Sequence, residues 1–141
     1  MITDNKIFAS KVINSITKIK KDLPKKKIIE KSLKNNGIIV LVDNIELAAE
    51  IINFIAPEHL HIHISNYKKL LSKINNAGGI FLGEYSVEAF GDYIVGTNHV
   101  LPTSGAAKFS SGLGVLDFMK RNSIVEMNKT CLLYTSDAAD E

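Results

Sequence analysis

Two short, continuous apolar runs constrain the fold of this chain more than any other feature of its sequence. GIIVLV occupies residues 37–42 and GGIFLG occupies residues 78–83. The first run is typical of a strand that is buried on both faces of a parallel sheet, and the second is expected to form another apolar strand. Because helix-like segments separate the strands, the sequence predicts a doubly wound α/β unit whose connections are right-handed crossovers.

Two helices are predicted before the first of these strands. Apolar residues recur at helical spacing from about residue 5 to residue 21, and Thr3 or Asp4 is placed to cap the start. Pro24 ends this helix, and a second helix is predicted over about residues 26–34.

Eight lysines lie between Lys18 and Lys34, against only Asp22 and Glu30. A basic run of this kind can contact phosphates, which would make the chain a weak nucleic-acid binder. The lysines, however, alternate with the apolar stripe, no Arg or aromatic residue accompanies them, and the whole chain has a net charge of only +2. This pattern favours a solvated helix face, so we expect no nucleic-acid partner, while nucleic-acid binding stays open as an alternative.

Three further helices are predicted after the first apolar run. One helix begins at Asp43, which forms a capping-box-like start with Glu46, and runs to about Ile55. Others are expected over about residues 67–74 and 86–89, and a last strand at 123–127. The residues expected on the core face of the helix after Asp43 are Leu47, Ile51, Phe54 and Ile55.

The segment after this helix carries three histidines. Pro57 disfavours helical geometry at the preceding residue, so the chain leaves the helix and presents Glu58 and His59 at a fixed point. HLHIHI follows at residues 59–64, and its alternation places all three histidines on one side of a strand. Same-face neighbours on a strand lie almost 7 Å apart, too far to share one metal ion easily, so we expect the second and third histidines to be exposed.

The stretch GDYIVGTNHVLPTSG, residues 91–105, has neither strand alternation nor helical period and is interpreted as a site loop. Asp92 and His99 offer a carboxylate oxygen and an imidazole nitrogen, which are both ordinary zinc ligands at roughly 2.0–2.2 Å. A catalytic zinc wants about three protein ligands, so two residues provide only part of a site. A turn-forming Asp and a His paired with a neighbour are the alternative interpretation.

Two motifs in the chain closely resemble histidinol dehydrogenase. One is GGIFLGEYSVEAFGDYIVGTNHVLPTSGAAKFSSGLGVLDFMKR, residues 78–121, and the other is IAPEHL at residues 55–60. A looser similarity extends from Ile2 to about Met127. The resemblance implies an incomplete Rossmann-like doubly wound unit, with a mostly parallel sheet flanked by helices.

The resemblance also implies a reaction and a set of site residues. The family oxidises L-histidinol to L-histidine through an aldehyde, in two NAD-dependent steps at a site that contains zinc. By motif, Asp92 resembles a zinc ligand that also contacts substrate, and His59 resembles the substrate-binding base that takes the alcohol proton. Glu58 would be the neighbouring acid/base residue that activates water for the second oxidation, and His99 would lie against the substrate.

Parts of the family pattern have no counterpart in this sequence. The remaining zinc ligands of the family are a Gln and a His further upstream and a His from the partner subunit of a homodimer. No Gly-rich strand-to-helix turn is present, so no NAD-binding residue is assigned. We therefore expect an internal fragment that is inactive alone; a small non-catalytic binding module that keeps part of the substrate pocket is an alternative.

The ends of the chain and its composition give the remaining expectations. TCLLYTSDAADE resembles a translated sequencing adaptor, so residues 130–141 are predicted to be a disordered, non-native tail on a unit of residues 1–129. The tail holds Cys131, the only cysteine, which excludes an internal disulfide. With no signal-peptide pattern and no 18-residue apolar stretch, a cytoplasmic protein without a membrane partner is expected.

Overall fold

The computed structural model describes residues 1–130 of the chain. The predicted α/β class is confirmed, with helices flanking two short parallel strand pairs. The elements in chain order are β1 (Ile2–Thr3), α1 (Lys6–Ile19), α2 (Lys26–Asn36), β2 (Val40–Leu41), α3 (Ala48–Ile55), β3 (His59–Ile62), α4 (Tyr67–Leu71), β4 (Gly79–Leu82) and α5 (Glu88–Tyr93), with single 3₁₀ turns at Ile45–Leu47, Ala106–Lys108 and Val115–Phe118.

β3 and β4 form the longer of the two parallel pairs. Their register runs from His59 opposite Gly79 to Ile62 opposite Leu82. The ladder is extended at its start, where the Gly79 N–H donates to the carbonyl of Glu58 at 2.7 Å. Both strands were expected from the alternation of residues 59–64 and the apolar run of residues 78–83, and both are present.

β1 and β2 form a much shorter pair, in which only Ile2 with Val40 and Thr3 with Leu41 are partners. The expectation that residues 37–42 are buried on both faces is wrong here, since Ile38 is 66% exposed and Leu41 is 50% exposed. A ladder of two residues is too narrow to present two covered faces.

The two N-terminal helices are present, with α1 capped differently from the prediction. The side chain of Asn5 accepts a hydrogen bond from the Phe8 N–H at 2.9 Å and is the N-cap. Thr3 is instead buried, and its hydroxyl accepts from the Asn5 N–H at 3.2 Å. The lysines of this region are exposed except for Lys20, which pairs with Glu30 at 3.6 Å, as expected of a solvated face.

The hydrophobic core lies between α3, β3 and α4. It is formed by Ala48, Ala49, Ile52, Ile62 and Leu70. The predicted core face of α3 is wrong, because three of its four residues are exposed, Phe54 most of all at 78%. Small alanine side chains let the helix approach the sheet closely, so its face with less apolar bulk is the one that is buried.

Asn53 fixes the connection that leads into β4. Its side-chain oxygen accepts from the backbone N–H groups of Asn75 at 2.8 Å and Asn76 at 3.1 Å, and its amide donates to the Lys73 carbonyl at 2.8 Å. The Asn53 carbonyl also accepts from the side chain of Asn76 at 3.0 Å. These bonds hold the segment before β4 against the end of α3.

The C-terminal part departs most from expectation. The helix predicted at residues 86–89 begins at Glu88 and continues to Tyr93, so the start of the predicted site loop is helical. The strand predicted at residues 123–127 does not form. None of the helices in residues 1–130 combines the length and the apolar composition that a membrane span requires. The predicted tail, apart from Thr130, lies outside the described residues.

Candidate functional site

Three side chains with metal-ligating or acid/base atoms meet beside the β3–β4 pair. They are His59 at the first position of β3, Glu88 at the first position of α5, and Asp92 one turn later on α5. One ligand atom from each lies within 4.8 Å of the other two. The His59 Nε2 atom is 3.5 Å from Glu88 Oε1. All three residues are half-buried, so solvent and small ligands can reach them.

His59 is placed by a sharp exit from α3 and by close strand pairing. α3 ends at Ile55, and its C-cap residue Ala56 adopts left-handed dihedrals of φ 50° and ψ 64° and donates its N–H to the Ile52 carbonyl at 2.7 Å. The adjoining β4 comes close because Gly78 has no side chain, since a Cβ there would lie 2.6 Å from the Glu58 carbonyl oxygen. The start of β3 is therefore held between a fixed turn and a tightly packed backbone.

Glu88 and Asp92 are placed by the packing of α5 on β4. The two carboxylates are four residues apart on one helix, a spacing that places them on one face. Gly91, between them, is buried, and a Cβ there would come within 2.9 Å of the Phe81 ring on β4. The same ring lies 6.1 Å from the His59 ring and 5.0 Å from the His61 ring. Phe81 thus packs against both α5 and the start of β3.

A cavity of about 720 Å³ adjoins the group. Its walls include Phe81, Tyr85, Phe90 and Leu101, which make it largely apolar. Asp92 is the only charged residue among those of the described chain that line it. The cavity can therefore take an organic ligand that carries a positive or metal-linked group at one end.

The structure brings together two of the four residues named from the sequence. His59 and Asp92 converge. Glu58 precedes His59 in the sequence and is half-buried, but it is not part of the three-residue group, and its backbone carbonyl is engaged in the strand ladder. His99 is exposed and neither joins the group nor lines the cavity, whereas its neighbour Asn98 does line it.

Glu88 was missed by sequence reasoning. The short helix was expected to end at residue 89, so Asp92 was placed in a loop and the i, i+4 relation to Glu88 was not considered. That spacing was the available signal, because carboxylates four residues apart share a helix face. His61 in β3 and His63 just after it are exposed as predicted, with their rings stacked at 5.8 Å.

The Asp92 carboxylate fits one ligand position of a zinc ion. Carboxylate oxygens are ordinary ligands of Zn²⁺, and a catalytic zinc commonly has three protein ligands. Asp92 is half-buried, so an ion could reach it, while His59 and Glu88 lie beside it.

Comparisons with known proteins agree with one another. The family model for histidinol dehydrogenase matches residues 1–141. Histidinol dehydrogenase from Hydrogenovibrio crunogenus is 51% identical over 125 residues, which cover 89% of this chain and 29% of the relative. The enzyme of the same name from Listeria monocytogenes is 46% identical over 138 residues, covering 98% of this chain and 32% of the relative.

A solved structure extends the agreement to the fold. The crystal structure of histidinol dehydrogenase from Elizabethkingia anophelis superposes with a TM-score of 0.79 at 31% identity, covering 97% of this chain and 31% of that one. The chain thus spans about a third of the length of the relatives it matches. With a family match over all its residues, the chain belongs to the histidinol dehydrogenase family.

Proposed function

We propose that this chain forms part of a zinc- and NAD-dependent dehydrogenase that oxidises L-histidinol to L-histidine, through an aldehyde, in histidine biosynthesis. The observation that supports it best is the meeting of His59 and Asp92, which are far apart in the sequence, beside a cavity that Asp92 lines. Membership of the histidinol dehydrogenase family supports this choice of substrate and reaction.

His59 is proposed as the base of the first oxidation. Its imidazole removes the hydroxyl proton of the alcohol, which raises electron density on the oxygen and allows hydride to leave the adjacent carbon. Imidazole suits this task because its ordinary pKa is near neutrality. Glu58, the preceding residue, is proposed to take a proton from the water that adds to the aldehyde before the second oxidation. His99 is proposed to contact the substrate.

Asp92 is proposed to hold the zinc ion and, through it, the substrate. Bound zinc supplies Lewis-acid polarisation and orientation of the polar groups of a substrate. The apolar walls beside Asp92 exclude water from one side of the ligand, which strengthens the electrostatic interactions within the site. NAD is proposed as the hydride acceptor, without an assigned residue in this chain.

Three further parts of the proposal rest on family membership alone. They are a homodimer that completes the site, an L-histidinol-binding pocket shared with parts of the protein beyond this chain, and a cytoplasmic location. The absence of a nucleic-acid partner remains a prediction. Lys18–Lys34 is the segment that would bind nucleic acid, and a gel shift at low salt with duplex and single-stranded DNA tests whether it does.

The direct test measures NADH formation from L-histidinol with added Zn²⁺. The chain alone is compared with a version extended in both directions along the family sequence. We expect activity only in the extended form, and we expect Asp92→Asn to abolish its response to zinc while His61→Gln, an exposed neighbour on the same strand, leaves it unchanged. An extended form without zinc-dependent NADH formation would refute the proposal, and turnover by the chain alone would refute the expectation that it is inactive.

A non-catalytic binding module is the second candidate, and the cavity favours it because it lies within this chain. Calorimetric titration of the chain with L-histidinol tests it. Saturable binding that Asp92→Asn weakens, in the absence of turnover, would support this candidate. Absence of binding would remove it.

A further inference from the structure

We infer that Glu88 is a positioning residue for His59: its carboxylate accepts the Nε2–H of the imidazole and so leaves Nδ1 as the nitrogen that receives a proton. The inference deepens the proposed function and rests on it for the role of His59. It starts from the 3.5 Å separation of His59 Nε2 and Glu88 Oε1. Hydrogen bonds of catalytic groups are often this long without substrate and shorten when substrate binds.

Glu88 has no competing cation in the described part of the chain. The lysines that form ion pairs there bind Glu30 and Glu46. Glu88 pairs with His59 instead. The side chain of His59 is 27% exposed and that of Glu88 is 44% exposed. The carboxylate is therefore available to the imidazole and is not drawn away by a basic neighbour.

Both partners are carried by packed backbone. His59 begins β3 in register with Gly79, and Glu88 begins α5, whose Gly91 packs against Phe81 of β4. The Phe81 ring lies 6.1 Å from the His59 ring, with an angle of 37° between the planes. The imidazole is thus limited by an aromatic ring from β4 and by a carboxylate at one nitrogen, which together define its orientation.

The chemical consequence follows from the two nitrogens of imidazole. A neutral ring has one N–H and one lone pair, and the hydrogen bond at one nitrogen determines which tautomer is present. A carboxylate cannot donate, so beside Nε2 it selects the tautomer that is protonated there. Carboxylates that orient a metal-bound imidazole in this way are worth about 10–100-fold in affinity or activity, and we expect an effect of that order for a base oriented by the same contact.

The first test uses this chain and needs no activity. Long-range ¹H–¹⁵N NMR correlations at pH 8 report the tautomer of each histidine ring. We expect His59 to be protonated at Nε2, and we expect Glu88→Ala to increase its Nδ1–H fraction while His61 does not change. Glu84→Ala, a matched exposed acid four residues earlier, should leave His59 unaltered. A His59 ring protonated at Nδ1 in the parent chain, or unaffected by Glu88→Ala, would overturn the inference.

The second test uses the extended, active form. We expect Glu88→Ala to lower kcat at least about tenfold while KM changes little, and Glu88→Gln, which keeps an acceptor oxygen, to recover part of the loss. A smaller decrease in kcat, or a change confined to KM, would overturn the inference. A kcat for Glu88→Gln no higher than that for Glu88→Ala would also overturn it. If the unmodified extended form does not oxidise histidinol, the proposed function fails and the tautomer measurement alone decides the role of Glu88.

Discussion

The two parallel strand pairs of this chain differ in how firmly they are built. β1–β2 pairs two residues on each strand, and its helices α1 and α2 expose much of their apolar surface. β3–β4 pairs four residues on each strand, is extended by backbone bonds from Gly78 and Gly79, and is held by the Asn53 hydrogen bonds. The candidate site lies on the second pair.

The difference matches where this fold must position side chains precisely. Acid/base and metal-ligating groups must be held within a fraction of an ångström, and rigid elements hold them better than loops do. His59 and Asp92 are attached to the pair with the longer ladder, whereas the lysine-rich helices beside the shorter pair need only remain solvated. Substitutions should therefore lower the free energy of unfolding more around β3–β4 than around β1–β2.

Gly78→Ala should have the largest effect. Its Cβ would lie 2.6 Å from the Glu58 carbonyl oxygen of the neighbouring strand, so the ladder would have to separate. We expect the free energy of unfolding in urea to fall by about 3 kcal/mol, the upper end of overpacking costs, because the obstacle is backbone. Gly37→Ala meets the Leu33 carbonyl oxygen at 2.4 Å, but in an exposed helix end that can adjust, so about 1 kcal/mol or less is expected.

Gly96→Ala is the control for these two changes, since no atom lies within 4 Å of its added Cβ. It should change stability by no more than about 0.5 kcal/mol. If Gly37→Ala costs as much as Gly78→Ala, the proposed difference in rigidity between the two strand pairs is wrong.

Asn53→Ala should come next, at about 2 kcal/mol. The change removes three hydrogen bonds made by the side chain to Lys73, Asn75 and Asn76, each worth about 0.5–1.5 kcal/mol net. Asn53→Asp keeps the oxygen that accepts from the two backbone N–H groups and loses only the amide donor. The thermal unfolding temperature of Asn53→Asp should therefore lie between those of the parent and Asn53→Ala. Equal losses of stability in the two variants would show that the side-chain oxygen contributes little.

Asn5→Ala tests the region around β1–β2 by removing the side-chain hydrogen bond that caps the start of α1. Loss of the N-cap bond to the Phe8 N–H should lower the free energy of unfolding by about 1 kcal/mol. Asn14→Ala, an exposed position within α1, should be neutral or slightly stabilising because Ala is the better helix former. A cost for Asn5→Ala above that of Asn53→Ala would reverse the order of the two regions.

The sequence predicted the region around β3–β4 better than the region around β1–β2. The alternation of HLHIHI and the apolar run GGIFLG are set by strand geometry, and both strands formed where they were expected. β1 was missed because Ile2–Thr3 is too short to show any period. The face of α3 was misjudged because large side chains suggested burial, whereas the core uses Ala48 and Ala49.

The site was only partly predictable, for a different reason. The proximity of His59 to Asp92 depends on how α5 packs against β4, and no local pattern encodes a contact between segments so far apart. Family resemblance substituted for that information. Glu88 has no motif of its own, and its relevance emerged only when Asp92 proved to be helical, because a residue four positions away then shares its face.

The smallest effect is expected from Glu46, which lies in the 3₁₀ turn just before α3. Its carboxylate accepts a hydrogen bond from Lys69 and another from Lys73, at 2.9 Å from the latter, and these bonds lower its pKa from 4.5 to about 2. The unfolded chain therefore binds a proton first as pH falls, so the stabilisation is present above pH 4.5 and is lost between about 4.5 and 2. Glu46→Gln cannot titrate, so its stability should be lower than that of the parent at pH 6 and approach it near pH 2, with a difference that salt reduces. Glu50→Gln, an exposed acid on α3, is the control. Urea unfolding from pH 6 to 2 measures the effect, and parallel curves for the parent and Glu46→Gln would contradict it.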